Sequence, residues 1–329
     1  MTEPNQTTSP NKIQDLSIGK LRGLQQCLSA RGTFTCLALD HRQNLRKANP
    51  LFVDNAALSQ FKLDVTAELA PYATAVLLDP EVSAAQAIAA GRLPGASAFV
   101  VAVESTGYSG DSTARRAQII PGWSVEKAKR MGASMIKLLV YYHPDSPTAA
   151  EAADFTAKIA AECQKYDLGL MLEPLSYSLT ENKLGSDEKR YVVVETARQL
   201  TPIAGVDVLK AELPLDALVA ENDPAQLLAA CADVSAASVT PWILLSAAVS
   251  FEVYQHQIIA ACQSGASGIA VGRAVWQEAV TMQREERLQF LRSTARERLI
   301  RLNALCLALA KPATDFYTAQ VGFDWYKTY

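Results

Sequence analysis

Short apolar runs recur along the chain at 34–40, 74–80, 97–104, 135–142, 169–177, 206–214, 241–249 and 268–276. Each is rich in Val, Ile and Leu and bounded by Gly, Pro or polar residues, which predicts strands buried on both faces. Between them apolar residues return at helical spacing, over 58–69, 149–163, 192–200, 225–234 and 251–263. Gly132, Gly265 and Gly268 stand where helices should stop and the next strand begin. Eight strands alternating with helices is the count of a (β/α)8 TIM barrel. The rival α/β architecture, a doubly wound open sheet, usually shows a Gly-rich turn after its first strand. Here the first strand runs into Asp40-His41-Arg42 instead.

No compositional break marks a second domain, so 15–329 is read as one barrel domain. Segment 16–31 is expected as a helix capping the barrel bottom. Segment 287–310 is a long charged amphipathic helix that leads to a C-terminal extension rich in aromatics, from Phe316-Tyr317 to Trp325-Tyr326. That extension either folds back on the barrel or packs between subunits. Residues 1–14 are polar, contain Pro4 and Pro10 and lack an apolar h-region, which predicts a disordered tail and not a signal peptide.

Composition narrows the function classes. The 329 residues are 49% hydrophobic and 20% charged with a net charge of −3, enough for a sizeable core and without a basic stripe for nucleic acid. No apolar run approaches the roughly 20 residues of a membrane span, and a cytoplasmic protein is expected. The six cysteines form no CxxC pair and read as reduced core residues. The three histidines, His41, His143 and His256, are far apart, so neither a metal nor any other cofactor is expected.

In a TIM barrel the chemistry sits at the carboxyl ends of the strands. Those ends carry Asp40, Asp79, Glu104, Lys137, Glu173, Lys210, Glu212, Ser246 and Gly272-Arg273. A charge inside a buried strand costs several kcal/mol unless paired, so each invites either a structural ion pair or a site. Asp79 and Glu104 suit both readings. Lys137, Glu173 and Lys210 fall on three consecutive strands amid apolar neighbours, and Val206, Val208, Lys210 and Glu212 share one face. Together they suit an amine catalyst, in which Lys137 would supply the cation that lowers the pKa of Lys210. Glu173 would move protons. Gly272-Arg273 at a helix start, with Ser246 on the preceding strand, suits a phosphate.

The matching stretches are Leu39-Asp40-His41-Arg42, Leu77-Leu78-Asp79-Pro80-Glu81, Glu104-Ser105-Thr106-Gly107-Tyr108, Trp123-Ser124-Val125 and Ile136-Lys137-Leu138-Leu139-Val140-Tyr141-Tyr142. They continue through Leu172-Glu173, Gly205-Val206-Asp207-Val208-Leu209-Lys210, Leu244-Leu245-Ser246-Ala247 and Val271-Gly272-Arg273-Ala274-Val275-Trp276. In this ordered set the chain resembles the tagatose-1,6-bisphosphate aldolase family of class I barrel aldolases. The resemblance implies cleavage of tagatose 1,6-bisphosphate to glycerone phosphate and glyceraldehyde 3-phosphate. It implies Lys210 as the Schiff-base lysine, Glu173 as the proton carrier, Lys137 as an assisting lysine and Asp40 as an acid near the substrate carbonyl and hydroxyls. Ser246, Gly272 and Arg273 would hold the phosphate of the ketone half, Arg42 would meet the far anion, His41 would lie beside the substrate, and Ala247 would be a further substrate-binding residue. A homo-oligomer is expected.

Three features depart from the family pattern: His41 replaces Gln, Ala248 replaces Gly, and the aromatic C-terminus is unfamiliar. A close relative cleaves 6-deoxy-6-sulfofructose 1-phosphate and would share the lysine chemistry. A barrel that binds sugar phosphates without turnover is the alternative of another class, and the intact Lys137, Glu173 and Lys210 set argues against it. A metal-dependent class II aldolase would need histidines that this chain lacks.

Overall fold

The computed structural model describes residues 13–180 and 183–329, without the side chains of 217–219. Its centre is a closed barrel of parallel strands: β1 Phe34–Ala38, β2 Ala75–Leu78, β3 Ala98–Ala102, β4 Met135–Tyr141, β5 Gly169–Leu175, β6 Val208–Ala211, β7 Trp242–Leu245 and β8 Gly268–Val271. The barrel closes where β1 pairs with β8, Phe34 opposite Gly268. Gly268 has φ +133°, and a Cβ there would stand 2.0 Å from the Phe34 carbonyl oxygen, so this seam admits only glycine.

Strand alternation sorts the side chains. Phe34, Cys36, Leu77, Val100, Met135, Met171, Val208 and Ile243 fill the interior. Leu37, Val76, Val101, Ile136, Leu172, Leu209 and Leu244 face outward into the helix layer. The same parity carries Lys137, Glu173 and Lys210 inward, one step beyond Met135, Met171 and Val208. Ladders end before the apolar runs do. Beyond β7 the chain turns because Ala247 and Ala248 adopt φ +39° and +61°, and beyond β8 a short helix, Arg273–Trp276, takes over.

The helices expected from periodicity appear as Asn55–Leu69, Ala149–Lys165, Ser186–Leu200, Pro224–Ala237 and Phe251–Gln263. Three of the five are capped by a side chain: Asp54 accepts from the Ala56 and Ala57 N–H groups, Asp223 from that of Gln226 and Ser250 from that of Val253. The long C-terminal helix is broken into Arg284–Phe290 and Arg296–Leu309 by a π turn, Leu291–Ala295. Ala84–Ala89 and Val125–Met131 are helices too short for their periodicity to be read.

Helix Ile18–Gln26 closes the barrel bottom, and the aromatic extension folds back beside it. Gln14–Asp15 pairs with Tyr317–Thr318, the Tyr317 hydroxyl donates to the Asp207 carbonyl, and Ala313 and Phe316 pack under the interior layer. Lys20 pairs with Asp207 at 2.9 Å. The extension is thus part of the fold, although Phe323, Trp325 and Tyr326 remain exposed. Gln14 is likewise in a strand, which moves the end of the predicted tail back, and residues 1–12 of that tail lie outside the described residues. Among the described residues no helix is long and apolar enough to cross a membrane.

Candidate active site

The carboxyl ends of the strands open into a cavity of about 680 Å³. Asp40, Lys137, Glu173 and Lys210 are all in its wall, each nine-tenths or more buried. The register Leu172↔Leu209 sets Glu173 beside Lys210, and Ala102↔Lys137 brings the end of β3 against β4.

Lys137 is the hub. Its Nζ lies 2.9 Å from Asp40 Oδ2, 2.6 Å from Glu104 Oε1 and 2.8 Å from Glu173 Oε2. Lys210 Nζ lies 2.8 Å from the same Glu173 Oε2. That oxygen is thus shared by two ammonium groups as an ion-pair bridge. The second Glu104 oxygen accepts the Leu139 N–H at 3.1 Å.

The electrostatics follow from this crowding. Burial opposes the charge on Lys137, but Asp40, Glu104 and Glu173 outweigh it and raise its pKa well above the usual lysine value. Burial likewise opposes ionisation of Asp40, yet Lys137 and Lys210 hold its carboxyl well below the usual range. Glu173 is lowered by the same two lysines against its burial. Glu104 goes up, because burial exceeds the help of Lys137. Lys137 is therefore a lasting cation that keeps two of its three carboxylates ionised.

At the rim, β7 and β8 deliver Ser246, Ala247, Gly272 and Arg273. The Gly272 N–H donates to Ser246 Oγ at 3.3 Å. Arg273 Nε is buried without a hydrogen-bond partner. Ala247 and Ala248 hold a left-handed turn that favours glycine, a local strain of the kind that clusters at sites. His41 lies edge-on to Trp276, with ring centroids 5.5 Å apart. Arg42 reaches the other way from β1: one guanidinium nitrogen pairs with Glu81 and another donates to the Glu104 carbonyl at 2.8 Å. Of this side chain only Nε is left unpartnered.

The structure thus brings together every residue singled out for the site. It also adds some. Glu104, undecided between pair and site, belongs to the cluster. Tyr141, Glu212 and Lys47 line the cavity as well; inward parity marks Tyr141 and Glu212, but nothing in the sequence marks Lys47. Asp79 is structural. It pairs with the buried Lys62 and accepts from the Glu81 and Val82 N–H groups at 2.9 and 2.8 Å, away from the cavity. Among the described residues no group of three or more His, Cys, Asp or Glu side chains could hold a metal.

Residues 34–278 match the model of the DeoC/LacD family of aldolases. Tagatose 1,6-diphosphate aldolase 2 of Streptococcus mutans is 30% identical over 91% of this chain and 98% of its own length. Tagatose 1,6-diphosphate aldolase of Listeria monocytogenes is 31% identical over 93% of this chain and 96% of its own. Among solved structures, the chain resembles an archaeal fructose 1,6-bisphosphate aldolase, with TM-score 0.55, 20% identity, and 86% and 99% of the two chains covered. It also resembles fructose-bisphosphate aldolase from Plasmodium falciparum, with TM-score 0.67, 15% identity, and 92% and 99% covered. At those identities the solved structures speak for the barrel alone.

Proposed function

Because this chain belongs to the DeoC/LacD family of aldolases and is itself an aldolase, we propose that it works through a Schiff base on Lys210 and cleaves D-tagatose 1,6-bisphosphate to glycerone phosphate and glyceraldehyde 3-phosphate. The observation that carries this reading is the single carboxylate oxygen of Glu173 set 2.8 Å from both Lys210 and Lys137.

Lys210 Nζ adds to the substrate ketone carbon, and the oxygen leaves as water, giving an iminium. The proton that Lys210 must shed has Glu173 as its nearest acceptor. The iminium then draws in the electron pair of the C3–C4 bond, one carbon beyond it, while a carboxylate takes the proton of the C4 hydroxyl. Glyceraldehyde 3-phosphate departs, and the enamine left on Lys210 is protonated and hydrolysed to glycerone phosphate. Glu173 carries these protons, and Asp40 orients the hydroxyls. Lys137 was expected to lower the pKa of Lys210, but Glu173 stands between the two amines. Its part on this reading is to keep Asp40 and Glu173 ionised.

Ser246, Ala247, Gly272 and Arg273 hold the phosphate of the ketone half, and Arg42 with Lys47 faces the far anion. Arg273 follows β8 and Arg42 turns toward Glu81 after β2, so the two lie on opposite sides of β1, which suits a substrate charged at both ends. Six free, buried cysteines suit a reducing cytoplasm, and the exposed Phe323, Trp325 and Tyr326 suit self-association into a homo-oligomer. The test is borohydride reduction with glycerone phosphate, followed by mass spectrometry, and a cleavage panel of tagatose and fructose bisphosphates with 6-deoxy-6-sulfofructose 1-phosphate. An adduct on Lys210 and fastest cleavage of the tagatose ester are expected. No adduct, or one that persists in Lys210→Ala, sinks the mechanism; faster cleavage of the sulfosugar reassigns the substrate.

A further inference from the structure

The motif Glu104-Ser105-Thr106-Gly107-Tyr108 follows β3, and the cluster around Lys137 uses only its first residue. The rest opens a hairpin at the barrel mouth. The Ser105 N–H donates to the Gln118 carbonyl at 2.7 Å, Ser109 and Arg116 exchange two backbone bonds of 2.9 and 3.0 Å, and the Ile120 N–H returns to the Val103 carbonyl at 3.0 Å. The turn is built on Gly110, with φ +89°, where a Cβ would stand 2.8 Å from the Ala114 carbonyl oxygen. Ser105, Thr106 and Gly107 line the cavity together with Tyr141 at the end of β4. In a closed ring of eight strands, β3 and β4 stand opposite β7 and β8. The hairpin therefore faces Ser246 and Arg273 across the site. At its base the Glu104 carbonyl accepts from Arg42 at 2.8 Å.

Arg115 fastens this hairpin to the barrel. Its guanidinium carbon lies over three rings, 4.6 Å from the centroid of Tyr108 on the hairpin, 4.9 Å from that of Tyr177 after β5 and 5.7 Å from that of Tyr141 on β4. Tyr108 also meets Tyr141 edge-on, with centroids 5.2 Å apart. Tyr177 is buried, and its hydroxyl donates to Ser146 Oγ at 2.7 Å. Arg115 Nε donates to the Ser112 carbonyl at 2.8 Å, which ties the side chain to its own turn. The neighbouring Arg116 pairs with Glu151 on helix Ala149–Lys165, but both are exposed, and such a pair contributes little. A guanidinium shared by three rings, one of them buried, contributes more. We propose that the hairpin forms the wall against the aldehyde half of the substrate and that Arg115, through Tyr108 and Tyr141, is its positioning residue. This rests on the reading of a ketone half at Ser246 and Arg273, and it deepens that reading by saying what positions the other half. Arg115 is outside the cavity wall and acts only through the rings.

The two halves of the substrate can be separated in the synthesis direction. Arg115→Leu should raise the KM for glyceraldehyde 3-phosphate about threefold to thirtyfold. The KM for glycerone phosphate, and the rate of its borohydride trapping on Lys210, should change less than about twofold. Arg115→Lys, which keeps a cation over the rings, should recover part of the loss. Hydrogen exchange of segment 105–119 should quicken in Arg115→Leu, with β4 and β5 unchanged. Tyr108→Leu removes one exposed ring and should show the same split, so it decides if Arg115→Leu fails to fold. An unchanged KM for the aldehyde would leave the hairpin without this role, and an equal rise in both KM values would make Arg115 a structural residue only; either overturns the proposal. Lack of a borohydride adduct in the wild type would instead break the Schiff-base reading alone, because the KM values come from turnover. Faster cleavage of the sulfosugar would replace the aldehyde in the comparison without removing the split.

Discussion

Two buried acids close two apolar strands of this barrel, and they meet different fates. Asp79, after β2, has one lysine to itself; Lys62 and Asp79 both show 0% side-chain exposure. The remaining acceptor capacity of Asp79 is filled by two backbone N–H groups and by Ser83 Oγ at 2.6 Å. Glu173, on β5, has one oxygen claimed by two lysines and an edge on the cavity. The first arrangement is closed: every charge is neutralised in place, and moving a proton would strand its partner. The second is open, because Lys137 can keep the cluster together while Lys210 changes its bonding. What separates a structural pair from a working one is the ratio of partners to charges and access to space, not burial.

The largest effect expected from this contrast is at Lys210. Lys210→Met should lower kcat at least about 10⁴-fold and abolish the borohydride adduct, while urea unfolding stays near that of the wild type. Retained turnover would put the nucleophile elsewhere. Glu173→Gln should lower kcat about 10²- to 10⁴-fold and slow adduct formation in single-turnover traces; unchanged kinetics would move proton transfer to another group. Lys62→Met is the mirror case. It should cost about 3–5 kcal/mol of stability by leaving Asp79 unpaired, yet the folded fraction should turn over at close to the wild-type kcat. A kcat loss without a stability loss would mean that the closed pair is not closed.

A smaller effect lies in pH. Asp40 and Glu173 are held below their unfolded values near 3.9 and 4.3, so each contributes stability that is present above those values and lost as pH falls through its folded one. Lys137→Met removes the cation responsible, and its acid unfolding midpoint in a pH series should move upward. A midpoint that stays put would show that Lys137 is not the hub. The smallest effect should be that of EDTA. With an iminium as electron sink, chelation should leave kcat unchanged, and a lost activity would transfer that role to a metal.

Much of this was legible along the chain, because it depends on local periodicity. Alternation alone carried Lys137, Glu173 and Lys210 to the inside face with Met135, Met171 and Val208. The count of eight runs, and the glycines that punctuate them, were equally local. Tertiary structure alone decided the rest. It assigned Asp79 to Lys62 and Glu104 to Lys137, committed Arg42 to Glu81, placed Glu173 between the two lysines, and laid the aromatic extension under the barrel. It also set His41 against Gly272. Periodicity fixes which face a side chain takes, but a charge's partner comes from strands and loops far away in sequence, at distances set by barrel closure. That is why the lysines could be recognised one strand at a time, and their division of labour could not.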